Sequence, residues 1–296
     1  MTEQTNSGIV TLSGGITTII GPTAAGYRPV INITTESSRP GDGVDVGIIT
    51  VIPEETRAVR HVLSLEPGVK NGLSFYLGTM RADGRVITVA ALQALSQGQD
   101  PAVSAFNHLR EHFSPKIVVL TGIAGGIHPD IHVGDVVITT RVICYDLRKE
   151  TSEHTLRRGQ ERQAPAAIGH AVNRFFTDRG DMAHIKSQTI GTTEAIRVLE
   201  GPIGSGNAVI AHRDSEIVKY LLAFNDKILA VDMESGGLGQ AHHGLPAGQR
   251  PSGWLVIRGI SDHADKNKND DYHHIAASNA AIVLRELIPY LPLSLT

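Results

Sequence analysis

The sequence predicts a three-layer α/β/α sandwich built on a central mixed, largely parallel sheet, and three observations carry that prediction. Short apolar, β-branched runs alternate with segments of helical periodicity along most of the chain. Three of those runs each hand a carboxylate to a strand-to-helix junction. The chain of 296 residues, 41% of them hydrophobic, can fill the core of one large α/β domain.

The elements follow in order. Residues 1–43 are rich in Thr, Ser and Gly and close on Ser37-Ser-Arg-Pro-Gly-Asp-Gly43, which marks a boundary. This extension is either a disordered tail or a partner-docking piece, since Ile16, Ile19, Ile20, Val30, Ile31 and Ile33 can pair as short strands. The main domain spans 44–296. Its first strand, Val44–Ile52, breaks at Pro53 and leads into a helix over Glu54–Leu65, where Val59, Val62 and Leu63 form one apolar stripe. A helical pattern over Ala102–Phe113 precedes the buried-strand run Lys116–Leu120, which enters a glycine-rich turn ending at Gly126. A strand over Gly134–Thr139 and a strand-like run around Cys144 come next, then helical patterns at Ala164–Thr177 and Ser215–Phe224. The strand Lys227–Val231 leads to a helix over Ser235–His243, and the strand Trp254–Ile260 to one over Tyr272–Leu287. Alternation of this kind covers a sheet on both faces.

The acids at the strand ends are the candidate working groups. Asp262 follows Trp254–Ile260, Glu54 and Glu55 follow Val44–Ile52, and Asp232 and Glu234 follow Lys227–Val231. Each has a local explanation: Ser261 and Asp262 are good helix-start residues, and carboxylates in a first turn suit the helix dipole. If the sheet is continuous, however, all three sets lie along one edge and converge on one ligand. The glycines of Thr121–Gly126 do not open a helix, so they are no dinucleotide fingerprint; they allow either close backbone approach to a ligand or a tight corner.

Six short pieces now stand in order: Pro53-Glu-Glu55, Thr121-Gly-Ile-Ala-Gly-Gly126, Val133-Gly-Asp-Val136, Ser205-Gly-Asn207, Val231-Asp-Met-Glu-Ser235 and Arg258-Gly-Ile-Ser-Asp262. In that order they resemble the nucleoside phosphorylase and nucleosidase family, most nearly its 5′-methylthioadenosine/S-adenosylhomocysteine nucleosidase branch. The resemblance implies cleavage of an N-glycosidic bond. It implies that Asp262 protonates the leaving purine at N7, that Glu234 accepts hydrogen bonds from ribose hydroxyls, and that Glu55 activates water. It also implies that Met233 packs beside the sugar, that Arg258 orients the acids, and that Asp232, Gly125 and the Ser205, Asn207 and Val209 segment complete the substrate site. A homodimer whose partner wall closes the 5′ pocket belongs to the same expectation. Asp262 must be protonated when it acts, which calls for burial or a neighbouring acid.

The chain departs from the pattern at several places. Val209 stands where the branch has an aromatic that stacks on the purine, and Asn207 where it has an Asp. Gln97-Gly-Gln99 makes a normally apolar loop polar, which suggests a polar 5′ substituent. The positions at which phosphorylases of the family hold phosphate read Pro53-Glu54-Glu55, Leu120 and Ile123. A dianion beside Glu55 without an arginine clamp is strongly disfavoured, so water is the better nucleophile. Phosphorolysis is the alternative reaction, and a nucleotide-sensing or oligomer-forming module of reduced activity is the alternative class.

Composition sets the remaining bounds. A net charge of −3 gives no global basic footprint for nucleic acid. Cys144 is the only cysteine, which excludes a disulfide framework and a thiolate zinc site; it reads as a small buried apolar residue. No apolar run spans a membrane and the first basic residue is Arg28, so a cytoplasmic location is expected. No cofactor is called for. No metal is expected either, because His242-His243 and His273-His274 are adjacent pairs that point to different faces and His128 and His132 flank Pro129. Arg148, Lys149, Arg157, Arg158 and Arg162 fall in a predicted loop, either as solvated charge or as a site for phosphates on the 5′ carbon.

Overall fold

The apolar runs become strands and the periodic segments become helices in the computed structural model, which describes residues 9–12, 16–19, 43–82, 84–180, 183–186, 195–210, 212–263 and 272–293. β1 (Ile9–Leu12) and β2 (Ile16–Ile19) form an antiparallel pair, so Ile16 and Ile19 do sit in a short strand; the rest of 1–42 lies outside the described residues. Then follow β3 (Val46–Thr50), α1 (Pro53–Leu63), β4 (Glu66–Lys70), β5 (Leu73–Ala82), β6 (Arg85–Gln93), α2 (Gln99–Phe113), β7 (Ile117–Gly126), β8 (Val136–Thr139) and β9 (Arg141–Cys144). The second half contains β10 (Arg148–Glu150), β11 (Thr155–Arg157), β12 (Gln160–Gln163), α3 (Ala166–Arg179), β13 (Ala183–Lys186), β14 (Ala195–Glu200), β15 (Ile203–Ser205), α4 (Glu216–Phe224), β16 (Ala230–Asp232), α5 (Ser235–His243), β17 (Gly253–Asp262) and α6 (His273–Leu287).

One mixed sheet organises the domain, and β7 and β17 are its axis. They pair in parallel from Gly253 opposite Ile117 to Ile260 opposite Ala124, with a register shift before Asp262. β7 is shared on its other side. Its first half pairs in parallel with β3, and its glycine end pairs antiparallel with β16. The far side of β17 pairs antiparallel with β8. The whole of β17 is buried, as expected for a strand covered on both faces. Successive side chains of a strand face opposite ways, so Trp254 and Gly259 report the two covering layers. Trp254 lies beside α5 at Gly239, and α5 packs on α2, whereas Gly259 faces Ala276 of α6, which packs on α1. The three layers follow.

The local chemistry explains the helix ends. Pro53 supplies the fixed φ of a first helical residue, and Ser64 ends α1 in the left-handed region at φ 53°. Gly98, at φ 115°, turns the chain into α2, which therefore starts at Gln99 and not at Ala102. Ser215 accepts a hydrogen bond from the Val218 N–H and caps α4.

Three expectations are corrected by the structure. The glycine segment after Leu120 is no turn: β7 runs straight through to Gly126. Its glycines leave room for neighbours, because a Cβ on Gly126 would lie 2.5 Å from Ile131 and one on Gly122 would strike Glu55. The basic loop is also structured. Arg148 and Arg157 are register partners in the β10–β11 hairpin, and Arg162 lies on β12, the strand paired with β9. Cys144 is half-buried at the end of β9, less enclosed than expected.

The tightest contact between layers gives a test of the packing. A Cβ on Gly259 would come within 2.0 Å of the Ala276 carbonyl oxygen, and a buried helix backbone cannot swing aside. Gly259→Ala should lower stability by about 1–3 kcal/mol, the usual cost of overpacking. Urea denaturation should show a lower midpoint at an unchanged slope. An unchanged midpoint would mean that α6 can lift from the sheet.

Candidate active site

Glu55 is the third residue of α1, and its carboxylate folds back over the helix start. Its Oε2 accepts from the N–H groups of Val51 at 2.6 Å and Ile52 at 3.2 Å, the returning half of a capping box. Its Oε1 reaches across to β7 and accepts from the Ile123 N–H at 2.9 Å. That reach needs Gly122: a Cβ there would lie 2.2 Å from Oε1 and 2.5 Å from Nη1 of Arg258.

Arg258, on the same face of β17, is fully buried and holds the other acids. Its Nε donates to Asp232 Oδ2 at 2.8 Å, and its Nη2 lies 2.7 Å from the same oxygen and 2.9 Å from Glu234 Oε2. Its Nη1 is 3.8 Å from Glu55 Oε1. Asp232 also accepts from the Ser235 hydroxyl and from the Ser235 N–H, which anchors the start of α5. The remaining oxygen of Glu234 accepts from the Gly98 N–H at 3.0 Å, so the start of α2 is tied to the same cluster.

Asp262 stands at the end of β17, past the register shift, and its Oδ2 accepts from the Ser261 hydroxyl at 2.9 Å. Glu55, Asp232, Met233, Glu234 and Asp262 all line one cavity of about 310 Å³. Ile123 and Gly125 form its floor on β7, and Gln97 and His273 are polar wall residues. The stretch Ala208–Ile210 supplies an apolar wall, with Val209 57% exposed.

Charge in this cluster is out of balance, since three acids surround one guanidinium. Burial raises Glu55 to about 7; Arg258 and the Val51 and Ile123 N–H groups pull it back, and Glu234 pushes it further up. Glu234 is raised as well, by burial first, with Arg258 opposing and Asp232 adding to the rise. Burial disfavours the charge on Arg258, but Asp232, Glu234 and Glu55 outweigh it and hold the guanidinium protonated more firmly than a free arginine. The cavity therefore offers a carboxyl group poised near neutral pH beside carboxylates fixed by an arginine. That is an arrangement for proton transfer next to a centre of developing positive charge.

The residues named from the sequence separate into two groups. Glu55, Gly125, Val209, Asp232, Met233, Glu234 and Asp262 meet at the cavity. Arg258, Ser205 and Asn207 do not line it. Arg258 lies beneath the acids, and Ser205 Oγ accepts from Gln99 Nε2 and the Gly236 N–H, both at 3.0 Å. Asn207 Oδ1 accepts from the Gln99 N–H at 3.1 Å, while its own N–H donates to Asp146. Ser205 thus joins the starts of α2 and α5, Asn207 ties the start of α2 to Asp146, and the wall falls to their neighbours. Gly98, Ser261 and His273 were not among the named residues. Two of them carry a signal in the sequence: Gly98 sits in the polar Gln97-Gly-Gln99 loop, and Ser261 stands just before Asp262 as a good helix-start residue. The basic residues stay away from the cavity: Arg148 pairs with Glu150, and Arg157 donates to the Tyr145 carbonyl.

A family model of the phosphorylase superfamily matches residues 45–289. An ATP nucleosidase of Escherichia coli is 27% identical over 268 residues, which cover 82% of this chain and 50% of that protein. The chain thus spans half the length of that curated relative. A 5′-methylthioadenosine/S-adenosylhomocysteine nucleosidase of Psychromonas ingrahamii is 28% identical over 248 residues, covering 82% of this chain and 97% of the relative. Among solved structures, the 5′-methylthioadenosine/S-adenosylhomocysteine nucleosidase of Neisseria meningitidis, in complex with methylthio-immucillin-A, matches with a TM-score of 0.63 at 23% identity over 83% of this chain and 99% of that one. Futalosine hydrolase of Helicobacter pylori matches with a TM-score of 0.62 at 20% identity over 84% and 98%. These likenesses show a shared fold.

Arg258 gives the site its test. Arg258→Met leaves Glu55, Asp232 and Glu234 buried without their cation, and breaking a buried ion pair costs about 3–5 kcal/mol. Without the guanidinium, which lowers both, the pKa values of Glu55 and Glu234 rise further above their unfolded values. Groups raised in this way favour the folded state at low pH and lose that contribution as pH rises through the folded pKa. The drop in melting temperature should therefore be larger at pH 8 than at pH 5. Equal drops at both would show that the acids do not depend on Arg258 for their charge.

Proposed function

The chain belongs to the phosphorylase superfamily, and from that premise we propose that it hydrolyses the N-glycosidic bond of a purine nucleoside or nucleotide to the free base and a ribosyl product. The observation that carries this reading is the convergence of Glu55, Glu234 and Asp262 on one cavity from three strand ends. Asp262 donates a proton to N7 of the purine as the C1′–N9 bond breaks and its electrons move into the base. Glu234, fixed by Arg258 and the Gly98 N–H, accepts hydrogen bonds from the ribose hydroxyls and offsets the positive charge that grows on the sugar. Glu55, with a pKa of about 7, takes a proton from the water that attacks C1′. Met233 packs beside the sugar, and Ala208–Ile210 wall the base. Arg258 is a positioning residue.

Water is favoured over phosphate because no lysine or arginine side chain lines the cavity among the described residues, and a phosphate dianion would meet Glu55. The curated relatives support the same reaction class, being named as nucleosidases of ATP and of 5′-methylthioadenosine and S-adenosylhomocysteine. Residues 44–296 form the catalytic domain in this reading, and 1–43 an extension. A homodimer fits Leu95, which is 93% exposed two residues from the cavity residue Gln97 and needs a cover. No described helix is long and apolar enough to cross a membrane. The lone half-buried thiol suits the reducing cytoplasm, where we place the enzyme.

Product analysis in phosphate-free buffer tests the reaction. Free base and ribosyl product should appear at the same rate with and without phosphate, and kcat/KM should fall as pH drops through about 7, as Glu55 gains its proton. A ribosyl 1-phosphate formed only when phosphate is added would instead establish phosphorolysis.

Asp262→Asn tests the acid. The amide keeps the shape of the side chain but cannot deliver a proton, so kcat should fall by about 10²–10⁴-fold with little change in substrate affinity. Substrates whose base departs without protonation should regain part of the rate. If Asp262 merely ends its strand, turnover will persist.

A further inference from the structure

Outside the cavity, α2 carries a second group of chemistry-bearing residues that the proposed reaction does not use. His108, Glu111 and His112 present one ligand atom each, and these atoms lie within 4.8 Å of one another. The two histidines are four residues apart, so they stand one above the other on one helix face, the spacing by which helices hold a metal ion between two imidazoles. Their rings are parallel within 4°, with centroids 6.3 Å apart. Phe75 meets the His112 ring edge-on at 5.6 Å and restricts its rotation. This pair is distinct from the adjacent and loop histidines His128, His132, His242, His243, His273 and His274, on which the expectation of no metal rests.

We infer that His108, Glu111 and His112 form a binding site for one divalent transition-metal ion of the Zn²⁺ class, separate from the cavity and independent of its reaction. Two imidazoles and a carboxylate are a donor set that zinc accepts, with a fourth position left for water. Tetrahedral ligands on bonds of about 2.0–2.1 Å lie about 3.3 Å apart, so small rotations of half-exposed or exposed side chains close the site. None of the three side chains is held in a hydrogen bond or ion pair among the described residues, so binding breaks neither; only the ring contacts to His112 must adjust. The cluster occupies the last turns of α2, where the helix dipole favours a cation. The opposing charge is Lys70, whose ammonium is committed to the His112 carbonyl at 2.6 Å and to the face of Phe113 at 4.7 Å.

Titration of the full chain with zinc chloride against a competing chelator tests the site. The unaltered protein should bind one equivalent in a saturable step and melt at a higher temperature with zinc than without. His108→Gln/His112→Gln should weaken that step by more than about 10–100-fold, the loss that even an outer-sphere partner causes, and should abolish the zinc-dependent rise in melting temperature. Glu111→Gln should weaken it less, keeping both imidazoles. Circular dichroism and the melting temperature without zinc check that the variants fold. No saturable step in the unaltered protein, or the same affinity in a folded double histidine variant, would overturn the site.

Discussion

One buried guanidinium holds the candidate site together. Arg258 has no solvent to share its charge, and its donors or its field reach Asp232, Glu234 and Glu55, which arrive from two other elements. Because burial alone would neutralise such acids or drive them apart, their presence depends on this cation. Arg258 in turn depends on the centre of the sheet, where β17 lies between β7 and β8 and cannot shift without breaking both pairings. The geometry around the cavity is thus fixed by an ion cluster that a single strand carries.

The glycines are the counterpart of that cluster. Gly122 allows Glu55 and Arg258 to close over β7, and Gly259, one position along from Arg258, allows α6 to press on the opposite face. A strand with a side chain at either place would keep its hydrogen bonds and lose the close approach that brings the acids together. At Gly98 the requirement is different: the backbone there turns through a left-handed φ, and its N–H is spent on Glu234. The start of α2 is thereby part of the site even though its side chains mostly point elsewhere.

Glu55 shows how a structural and a chemical role can rest on one group. Its carboxylate satisfies N–H groups at the start of α1 and on β7, which any helix start and strand end would need. The same burial that makes those bonds useful raises its pKa to about 7. A cap of this kind is already tuned for proton transfer near neutral pH, so the capping reading and the base reading do not compete.

The sequence by itself determined the alternation of elements, because a strand buried on both faces must be a run of apolar residues and a helix must repeat its apolar stripe. Val46–Thr50, Ile117–Leu120 and Trp254–Ile260 show this, as do the acids that follow strands. It also led to Glu55, Glu234 and Asp262, since a carboxylate after a buried strand has few places to go. Only the tertiary structure decided that the glycines of β7 stay in a strand, for their purpose lies in Glu55, Arg258 and Ile131, residues distant in the chain. It likewise decided that Ser205 and Asn207 brace helix starts while Ala208–Ile210 meet the cavity, and that Arg258 lies under the acids. Hydrophobic periodicity is local and so is written along the chain. The partner of a buried polar atom is chosen by packing between segments that the sequence keeps apart.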